Sequence, residues 1–257
     1  MEAHPTIPEI TGMIDHALLH PTLTAEAVED GLQLCLDYGV ATACVKPCDV
    51  STAARMLKGS ATGVGTVIGF PHGSTKTGTK LAEVEAALAD GAVELDMVVN
   101  LGRVKGGDWE AVKNEIRSVN EAATGAGAIL KVIFENDFLV EVEIIRLCEI
   151  CTEVAVAYVK TSTGFGFVKG SDGTYAYRGA RPEDIQLMRK HSGPEVRLKA
   201  AGGIRGLDDL LASRELGVSR IGASGTTAIV AEAIARGFPG PAPKSVGGAA
   251  SSSEAGY

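Results

Sequence analysis

Short apolar runs alternate with longer amphipathic segments along most of this chain. The apolar runs predict eight strands, at residues 11–19, 40–45, 64–70, 92–99, 129–134, 154–159, 196–200 and 219–223. The segments between them predict eight helices, at residues 21–38, 49–58, 80–90, 109–125, 139–152, 182–191, 207–216 and 226–236. Thr24 is the predicted N-cap of the first helix, and Gly39 is predicted to end it. Strands that are apolar throughout, each followed by a helix, are typical of a parallel sheet covered by helices.

Eight such units in about 225 residues predict one closed (β/α)8 TIM barrel, which we place at residues 1–236. An open, doubly wound sheet is the alternative, but no G-x-G-x-x-G motif follows the first predicted strand. Two segments fall outside the alternation. Residues 167–181 predict a long polar loop that covers a substrate site, and residues 237–257, rich in Gly, Pro and Ser, predict a flexible C-terminal tail.

Composition and charge argue against several classes of protein. The 257 residues carry a formal net charge of -8 and lack a basic cluster with interleaved aromatic residues, so we do not expect nucleic-acid binding. No apolar run reaches the roughly eighteen residues of a membrane span, and the N-terminus lacks a basic and then apolar leader. Five cysteines, an odd number, argue against a disulfide framework. These features predict a cytoplasmic protein with no membrane partner.

Two lysines at neighbouring predicted strand ends are the main chemical signal. Lys160 lies in YVKTSTGFG, residues 158–166, and Lys199 in RLKAAGGIR, residues 197–205. A like charge about 4 Å away, at an effective dielectric constant near 20, supplies about 4 kcal/mol, or roughly three pKa units. One lysine of such a pair can therefore act as a neutral nucleophile. Two unrelated solvated lysines, or a lysine paired with a carboxylate, remain alternatives.

Asp96 is an acid inside the apolar run 93–99. A buried carboxylate costs several kcal/mol unless it is paired. Asp96 either neutralises and orients Lys131 or Lys199, or shuttles protons beside Lys160. Both interpretations can hold together.

The last two predicted strands each end in a glycine-rich turn, at residues 202–205 and 222–225. Loops at these positions of a barrel commonly bind phosphate, because glycine lets backbone N–H groups approach the anion. Arg205 and Ser224 supply further donors. Each turn alone is more often a tight strand-to-helix connection, but the two together predict a phosphorylated ligand.

Six segments, taken in order, resemble the deoxyribose-phosphate aldolase family: IDHALL at 14–19, GFPHG at 69–73, ELDMV at 94–98, LKVIFE at 130–135, KTSTG at 160–164 and KAAGGIR at 199–205. The resemblance spans residues 10–236. It implies a class I aldolase that reversibly cleaves 2-deoxy-D-ribose 5-phosphate to D-glyceraldehyde 3-phosphate and acetaldehyde, with no metal or other cofactor. It also implies a homo-oligomer, a dimer or a tetramer.

The resemblance further implies roles for single residues. Lys160 matches the Schiff-base lysine, Lys199 the second lysine that lowers its pKa, and Asp96 the acid that transfers protons. Tyr257 matches a terminal tyrosine that assists proton transfer in some members. The substrate-binding positions of the family match Asp15, Cys44, Lys131, Thr163, Gly164, Gly203, Arg205 and Ser224.

The sequence departs from the family at its phosphate site. Some members have a lysine where this chain has Phe165, and the loop at 167–181 is longer than expected. Lys169 and Arg178 are candidate replacements for that cation. Two alternatives follow: a Schiff-base aldolase that acts on another aldehyde or sugar phosphate, and a barrel that binds a sugar phosphate without turnover.

Overall fold

Eight parallel strands close into a barrel in the computed structural model, which describes residues 4–244. The barrel strands are β1 (Ile14–Leu18), β2 (Thr42–Val45), β3 (Gly63–Ile68), β4 (Glu94–Val98), β5 (Ile129–Ile133), β6 (Tyr158–Lys160), β9 (Arg197–Ala201) and β10 (Val218–Ala223). Each pairs with the next barrel strand along the chain, and β10 pairs with β1. This arrangement confirms the predicted (β/α)8 barrel.

Helices surround the barrel. They are α1 (Ile7–Thr11), α2 (Ala25–Tyr38), α3 (Val50–Met56), α4 (Thr77–Ala89), α5 (Leu101–Lys105), α6 (Trp109–Gly125), α7 (Glu141–Val154), α8 (Pro182–His191), α9 (Leu207–Glu215) and α10 (Thr226–Ala235). Two 3-10 turns lie at Pro47–Asp49 and Asn136–Phe138. Between residues 4 and 244, no helix combines the length and the apolar character that crossing a bilayer requires.

Local capping signals fix several helix ends. Thr24 accepts a hydrogen bond from the backbone N–H of Ala27 (3.2 Å), and Gly39 ends α2 in the left-handed conformation (φ 62°), both as predicted. At the N-terminus, Thr6 and Glu9 form a capping box that begins α1. The predicted strand at 11–19 was therefore wrong at its start, because Thr11 belongs to that helix.

The strand that carries Lys160 is shorter than predicted. Helix α7 extends through Val154, and Ala155 ends it in the left-handed conformation (φ 58°), so β6 begins only at Tyr158. The predicted strand 154–159 was wrong at its start because the apolar run joins the last residue of a helix to a strand. Hydrophobicity alone does not separate the two.

Side-chain alternation divides the strands into two faces. On β4, Leu95 and Met97 point outward and are fully buried in the apolar layer between barrel and helices. Glu94 and Asp96 point into the barrel, where they meet cations from other strands. The apolar core is thus a shell, and its centre holds charge.

Two predicted irregular segments have structure. Within residues 167–181, β7 (Val168–Lys169) and β8 (Tyr175–Ala176) form an antiparallel hairpin. The tail does not begin as a free chain, because Phe238 is buried in the core and Pro239 accepts a hydrogen bond from the backbone of Ile7 (2.7 Å). The start of the segment predicted as a flexible tail therefore packs against the barrel, and flexibility of the tail stays a prediction. The rest of the tail, from residue 245 on, lies outside the described residues.

Candidate active site

Lys160 and Lys199 are direct partners in the pairing of β6 with β9. Both ammonium groups donate to the same oxygen, Oδ2 of Asp96, at 2.7 Å from Lys160 and 2.8 Å from Lys199. The two lysines and the aspartate are almost completely buried. The pair that the sequence predicts at neighbouring strand ends is therefore a pair in space, joined by one carboxylate.

A wider network of charges surrounds this pair. Lys131 contacts Asp96 (2.9 Å), Glu94 (2.6 Å) and Asp15 (3.4 Å). Lys199 also contacts Asp15 (2.5 Å). Within residues 4–244, four cations and three carboxylates form this network, which we call the barrel cluster: Asp15, Glu94, Asp96, Lys131, Lys160, Lys199 and Arg220.

Arg220 is the residue of the cluster that the sequence reasoning missed. It lies on β10, pairs with Asp15 and donates to Glu94 at 3.0 and 3.1 Å. A signal was present, since Arg220 directly precedes the apolar Ile-Gly-Ala end of a strand, but it was weaker than that of Asp96, which apolar residues flank on both sides.

The carboxylates are unequally shared among the lysines. Among the described residues, Lys131 has three carboxylates within 4.0 Å, Lys199 has two and Lys160 has one. With four cations against three anions, the cluster carries an excess positive charge when every group is ionised. Lys160 is the lysine whose proton is least stabilised by this arrangement.

The pKa shifts follow this geometry. Burial, aided by the charge of Lys199 and opposed by Asp96, lowers the pKa of Lys160. Burial has the same effect on Lys199, but the carboxylates of Asp15 and Asp96 outweigh it and raise the pKa of Lys199. Burial would raise the pKa of Asp96, yet the three lysines hold it well below its usual range. The arrangement thus makes Lys160 lose its proton more readily than Lys199.

A cavity of about 370 Å³ opens above the cluster at the C-terminal ends of the strands. Nine of the predicted site residues line it: Asp15, Cys44, Lys160, Thr163, Gly164, Lys199, Gly203, Arg205 and Ser224. Asp96 and Lys131 lie beneath its wall, in the barrel cluster. Tyr257 falls outside the described residues.

One end of the cavity is suited to an anion. Gly202 and Gly203 adopt left-handed conformations (φ 84° and 81°), which other residues rarely take. Ser224 and Gly225 line the same end, and Gly225 is the N-cap of α10, which no side chain caps. The first N–H groups of α10 therefore point toward this end.

Another part of the cavity wall, at Leu19 and Cys44, is apolar. Leu19, Cys44 and Val67 form a small buried cluster against which Phe70 and Phe165 pack, with the two rings edge to face at 5.5 Å. Burial raises the pKa of Cys44 to about 11, so its thiol stays protonated at neutral pH. Cys44 therefore contributes an apolar surface here.

Glu135 fixes the loop that follows Lys160. It has a left-handed backbone (φ 59°), and its carboxylate accepts hydrogen bonds from the backbone N–H (3.2 Å) and the hydroxyl of Thr163. Burial raises the pKa of Glu135. The sequence placed Glu135 at a strand end but gave it no role, and the structure shows that it anchors the turn at Thr163 and Gly164.

The hairpin insertion also reaches the cavity. Asp137 accepts hydrogen bonds from the backbone N–H groups of Arg178 (2.7 Å) and Gly179 (3.1 Å), and Ala180 donates to the carbonyl of Gly202 (2.9 Å). These contacts bring Tyr177, which the sequence reasoning did not single out, to the cavity wall.

Neither candidate replacement cation lies in that wall. The ammonium of Lys169 is 5.9 Å from the ring centre of Tyr175 on the exposed hairpin, and Arg178 pairs with Asp137 (3.4 Å). Among the described residues, Arg205 is the arginine that lines the cavity. The described part of the chain also contains no group of three His, Cys, Asp or Glu side chains placed to hold a metal ion.

Comparison with known proteins agrees with this fold. A relative from Rhodopirellula baltica, described as a deoxyribose-phosphate aldolase, is 47% identical over 225 residues, which cover 88% of this chain and 89% of the relative. One of the same description from Clostridium perfringens is 42% identical and covers 86% of this chain and 94% of its own length. The tetrameric deoxyribose phosphate aldolase structure from Aeropyrum pernix superposes with a TM-score of 0.79 at 27% identity, over 90% of this chain and 92% of that one.

Barrel, lysine pair and relatives together define a class I aldolase, an aldehyde-lyase. The family model described as DeoC/LacD family aldolase matches residues 12–229. The chain belongs to the DeoC/LacD family of aldolases, which confirms the family that the six sequence segments predicted.

Proposed function

We propose that this protein reversibly cleaves 2-deoxy-D-ribose 5-phosphate to D-glyceraldehyde 3-phosphate and acetaldehyde, with Lys160 as the Schiff-base nucleophile. The observation that carries the proposal is the position of Lys160: it lines a cavity, shares one carboxylate oxygen with Lys199, and has fewer carboxylate partners than either other lysine of the barrel cluster. The names of the relatives support the substrate.

The first step is imine formation. The neutral amine of Lys160 attacks C1 of the open-chain sugar, and the resulting carbinolamine loses water to give an iminium ion. Lys199 stays charged because two carboxylates hold its proton, so it can donate to the leaving oxygen. Asp96 lies beneath the lysine nitrogens, and we assign it proton exchange with Lys160.

The second step breaks the bond between C2 and C3. Its electron pair moves into the iminium ion to give an enamine, the C3 hydroxyl gives its proton to the base of the site, a role that we assign to Asp96, and glyceraldehyde 3-phosphate leaves. Protonation of the enamine at C2 and hydrolysis of the imine then release acetaldehyde and restore the amine of Lys160. We propose Asp15, which lines the cavity and contacts Lys199, as a polar contact for the sugar hydroxyls. Any part that Tyr257 plays in the C2 proton transfer stays a prediction.

We place the phosphate group of the substrate at the end of the cavity that is suited to an anion. The left-handed turn at Gly202 and Gly203, the side chain of Arg205 and the N-terminus of α10 supply donors and positive charge there. Thr163, Gly164 and Ser224 complete the proposed substrate contacts.

A second candidate is a Schiff-base aldolase of the same mechanism that prefers another aldehyde or sugar phosphate. Phe165 favours it, because this residue adds an apolar ring beside Leu19 and Cys44 where some members of the family have a cation. The ratio of kcat/KM for deoxyribose 5-phosphate to that for deoxyribose separates the two candidates.

We also propose a cytoplasmic homo-oligomer, a dimer or a tetramer. The tetrameric Aeropyrum pernix relative supports assembly. The five cysteines, all of them unpaired, suit a reducing compartment.

The test is product analysis. Incubation with 2-deoxy-D-ribose 5-phosphate should release acetaldehyde and glyceraldehyde 3-phosphate in equal amounts, and mixing the two products should regenerate the sugar phosphate. Binding of the sugar phosphate without either product would instead identify a binding protein.

A further inference from the structure

Arg220 links two carboxylates that lie on different sides of the barrel. It points inward from β10, where its backbone is the pairing partner of Lys199. Its guanidinium reaches Asp15 on the neighbouring β1 and both oxygens of Glu94 on β4, four strands away around the barrel. The side chain is 13% exposed, so water screens these contacts only weakly.

The ionisable groups around Arg220 come from six strands. They are Asp15 on β1, Cys44 on β2, Glu94 and Asp96 on β4, Lys131 on β5, Tyr158 and Lys160 on β6, and Lys199 on β9. Glu135, just after β5, lies near Lys160, and burial raises the pKa of Glu135; the exposed Arg197 on β9 stacks on Tyr158. Arg220 also lies near the ring of Tyr158, 5.8 Å from its centre. The guanidinium is therefore a fixed charge inside the cluster that contains the proposed nucleophile.

Arg220 changes the charge balance of this cluster. Without it, three lysines would face three carboxylates, and each lysine could keep its proton at no net charge. With it, the cluster holds one cation more than it has carboxylates. Because a guanidinium does not lose its proton under ordinary conditions, the excess is relieved only when a lysine gives up its proton.

We propose that Arg220 is a positioning residue that keeps the amine of Lys160 unprotonated by supplying the fixed fourth cation of the barrel cluster. It occupies Glu94 and one oxygen of Asp15, so these carboxylates attract Lys131 and Lys199 less strongly and leave both to share Asp96 with Lys160. The proton then leaves the lysine with the fewest carboxylate contacts. This role rests on the proposed function of Lys160.

The test compares the pH dependence of variants that change the charge of the cluster in opposite directions. Arg220→Gln removes a cation, Arg220→Lys keeps one, and Glu94→Gln removes an anion. Arg197→Gln is the matched control, because Arg197 stacks on the same Tyr158 ring at 4.1 Å but is exposed and forms no ion pair with the described residues of the barrel cluster. The readouts are kcat/KM for deoxyribose 5-phosphate and the rate of borohydride trapping with acetaldehyde.

Arg220→Gln should move the acidic limb of both profiles to higher pH by about one unit, with activity recovering at alkaline pH. Arg220→Lys should restore most of that shift. Glu94→Gln should move the limb to lower pH, and Arg197→Gln should leave it in place.

The proposal would be overturned if the acidic limb stayed in place in Arg220→Gln. It would also be overturned if both Arg220 variants lost activity equally at every pH. If Arg220→Gln does not fold, Glu94→Gln provides the test. An acidic limb that does not move to lower pH in Glu94→Gln would then overturn the proposed role of Arg220. Absence of trapping in the unaltered protein at any pH is a different result, because it overturns the proposed function itself.

Discussion

Lys160 and Lys199 donate to one oxygen of Asp96 from paired positions on neighbouring strands, yet their pKa values move in opposite directions. The difference arises from Asp15, which contacts Lys199 at 2.5 Å. One extra carboxylate therefore makes Lys199 the stronger base of the pair and leaves Lys160, the proposed nucleophile, the lysine that loses its proton more readily.

Replacing Lys199 should impair Lys160 through its charge. In Lys199→Met, the cation that lowers the pKa of Lys160 is lost, so Lys160 stays protonated to higher pH. We expect more than a tenfold fall in kcat/KM near neutral pH, with recovery as pH rises through the new pKa. Lys169→Met, on the exposed hairpin, is the control. A pH profile with an unmoved acidic limb would remove this role from Lys199.

We expect Arg205 to bind the substrate phosphate and to take no part in the bond-making and bond-breaking steps. In Arg205→Gln, loss of a charge-assisted hydrogen bond should raise KM for deoxyribose 5-phosphate about 10- to 100-fold and leave kcat/KM for unphosphorylated deoxyribose unchanged. Arg178→Gln is the matched control, since Arg178 pairs with Asp137. Equal losses on both substrates would show that Arg205 does not contact the phosphate.

Tyr177 should shape the same end of the cavity. Its ring packs edge to face on Phe167 at 5.5 Å and lines the wall beside Gly202. Tyr177→Ala should raise KM for deoxyribose 5-phosphate several-fold while the rate of trapping with acetaldehyde, which does not extend to this end, stays the same. Tyr175→Ala, on the same hairpin but 64% exposed, should change neither quantity. A slowed trapping rate in Tyr177→Ala would instead indicate a disturbed barrel cluster.

His16 should make stability depend on pH below neutrality. It is fully buried, its Nδ1 lies 2.9 Å from the hydroxyl of Thr226, and burial lowers its pKa to about 4. An unfolded histidine binds its proton near pH 6.5, so the contribution of neutral His16 to the unfolding free energy is fully present above that pH. As the pH falls from 6.5 to about 4, this contribution, about 3 kcal/mol, is lost.

The measurement for His16 is urea unfolding as a function of pH. In His16→Asn, which keeps a polar contact for Thr226 without titrating, the decline in unfolding free energy between neutral pH and pH near 4 should be smaller by about that amount. His72→Asn, at an exposed position, should retain the decline of the unaltered protein. Identical slopes in all three proteins would contradict the assignment.

The sequence predicted most of the fold because its signals are local. Apolar strands, the cap at Thr24 and the stop at Gly39 need no tertiary information. Prediction failed where two elements share one apolar run, as at Val154, and where a polar and glycine-rich stretch forms a hairpin. The packing of Phe238 was missed because composition describes a segment as a whole and not its one buried ring.

The site was partly predictable for a related reason. Lys160, Lys199 and Asp96 stood out as charges at the end of, or inside, apolar strands, and the glycine-rich turns marked the anion end. Arg220 carried a similar signal but adjoins Ser219 at the start of a strand, where a polar residue is ordinary. Tyr177 reaches the cavity through hydrogen bonds from its neighbours to Asp137, about 40 residues away in sequence, and such contacts leave no local pattern.

The most direct test of the central claim is borohydride trapping with acetaldehyde, followed by intact mass and peptide mapping. We predict a single two-carbon adduct on Lys160, and no adduct in Lys160→Ala. An adduct on Lys199 or another lysine, or none on the folded protein, would contradict the assignment of Lys160 as the nucleophile.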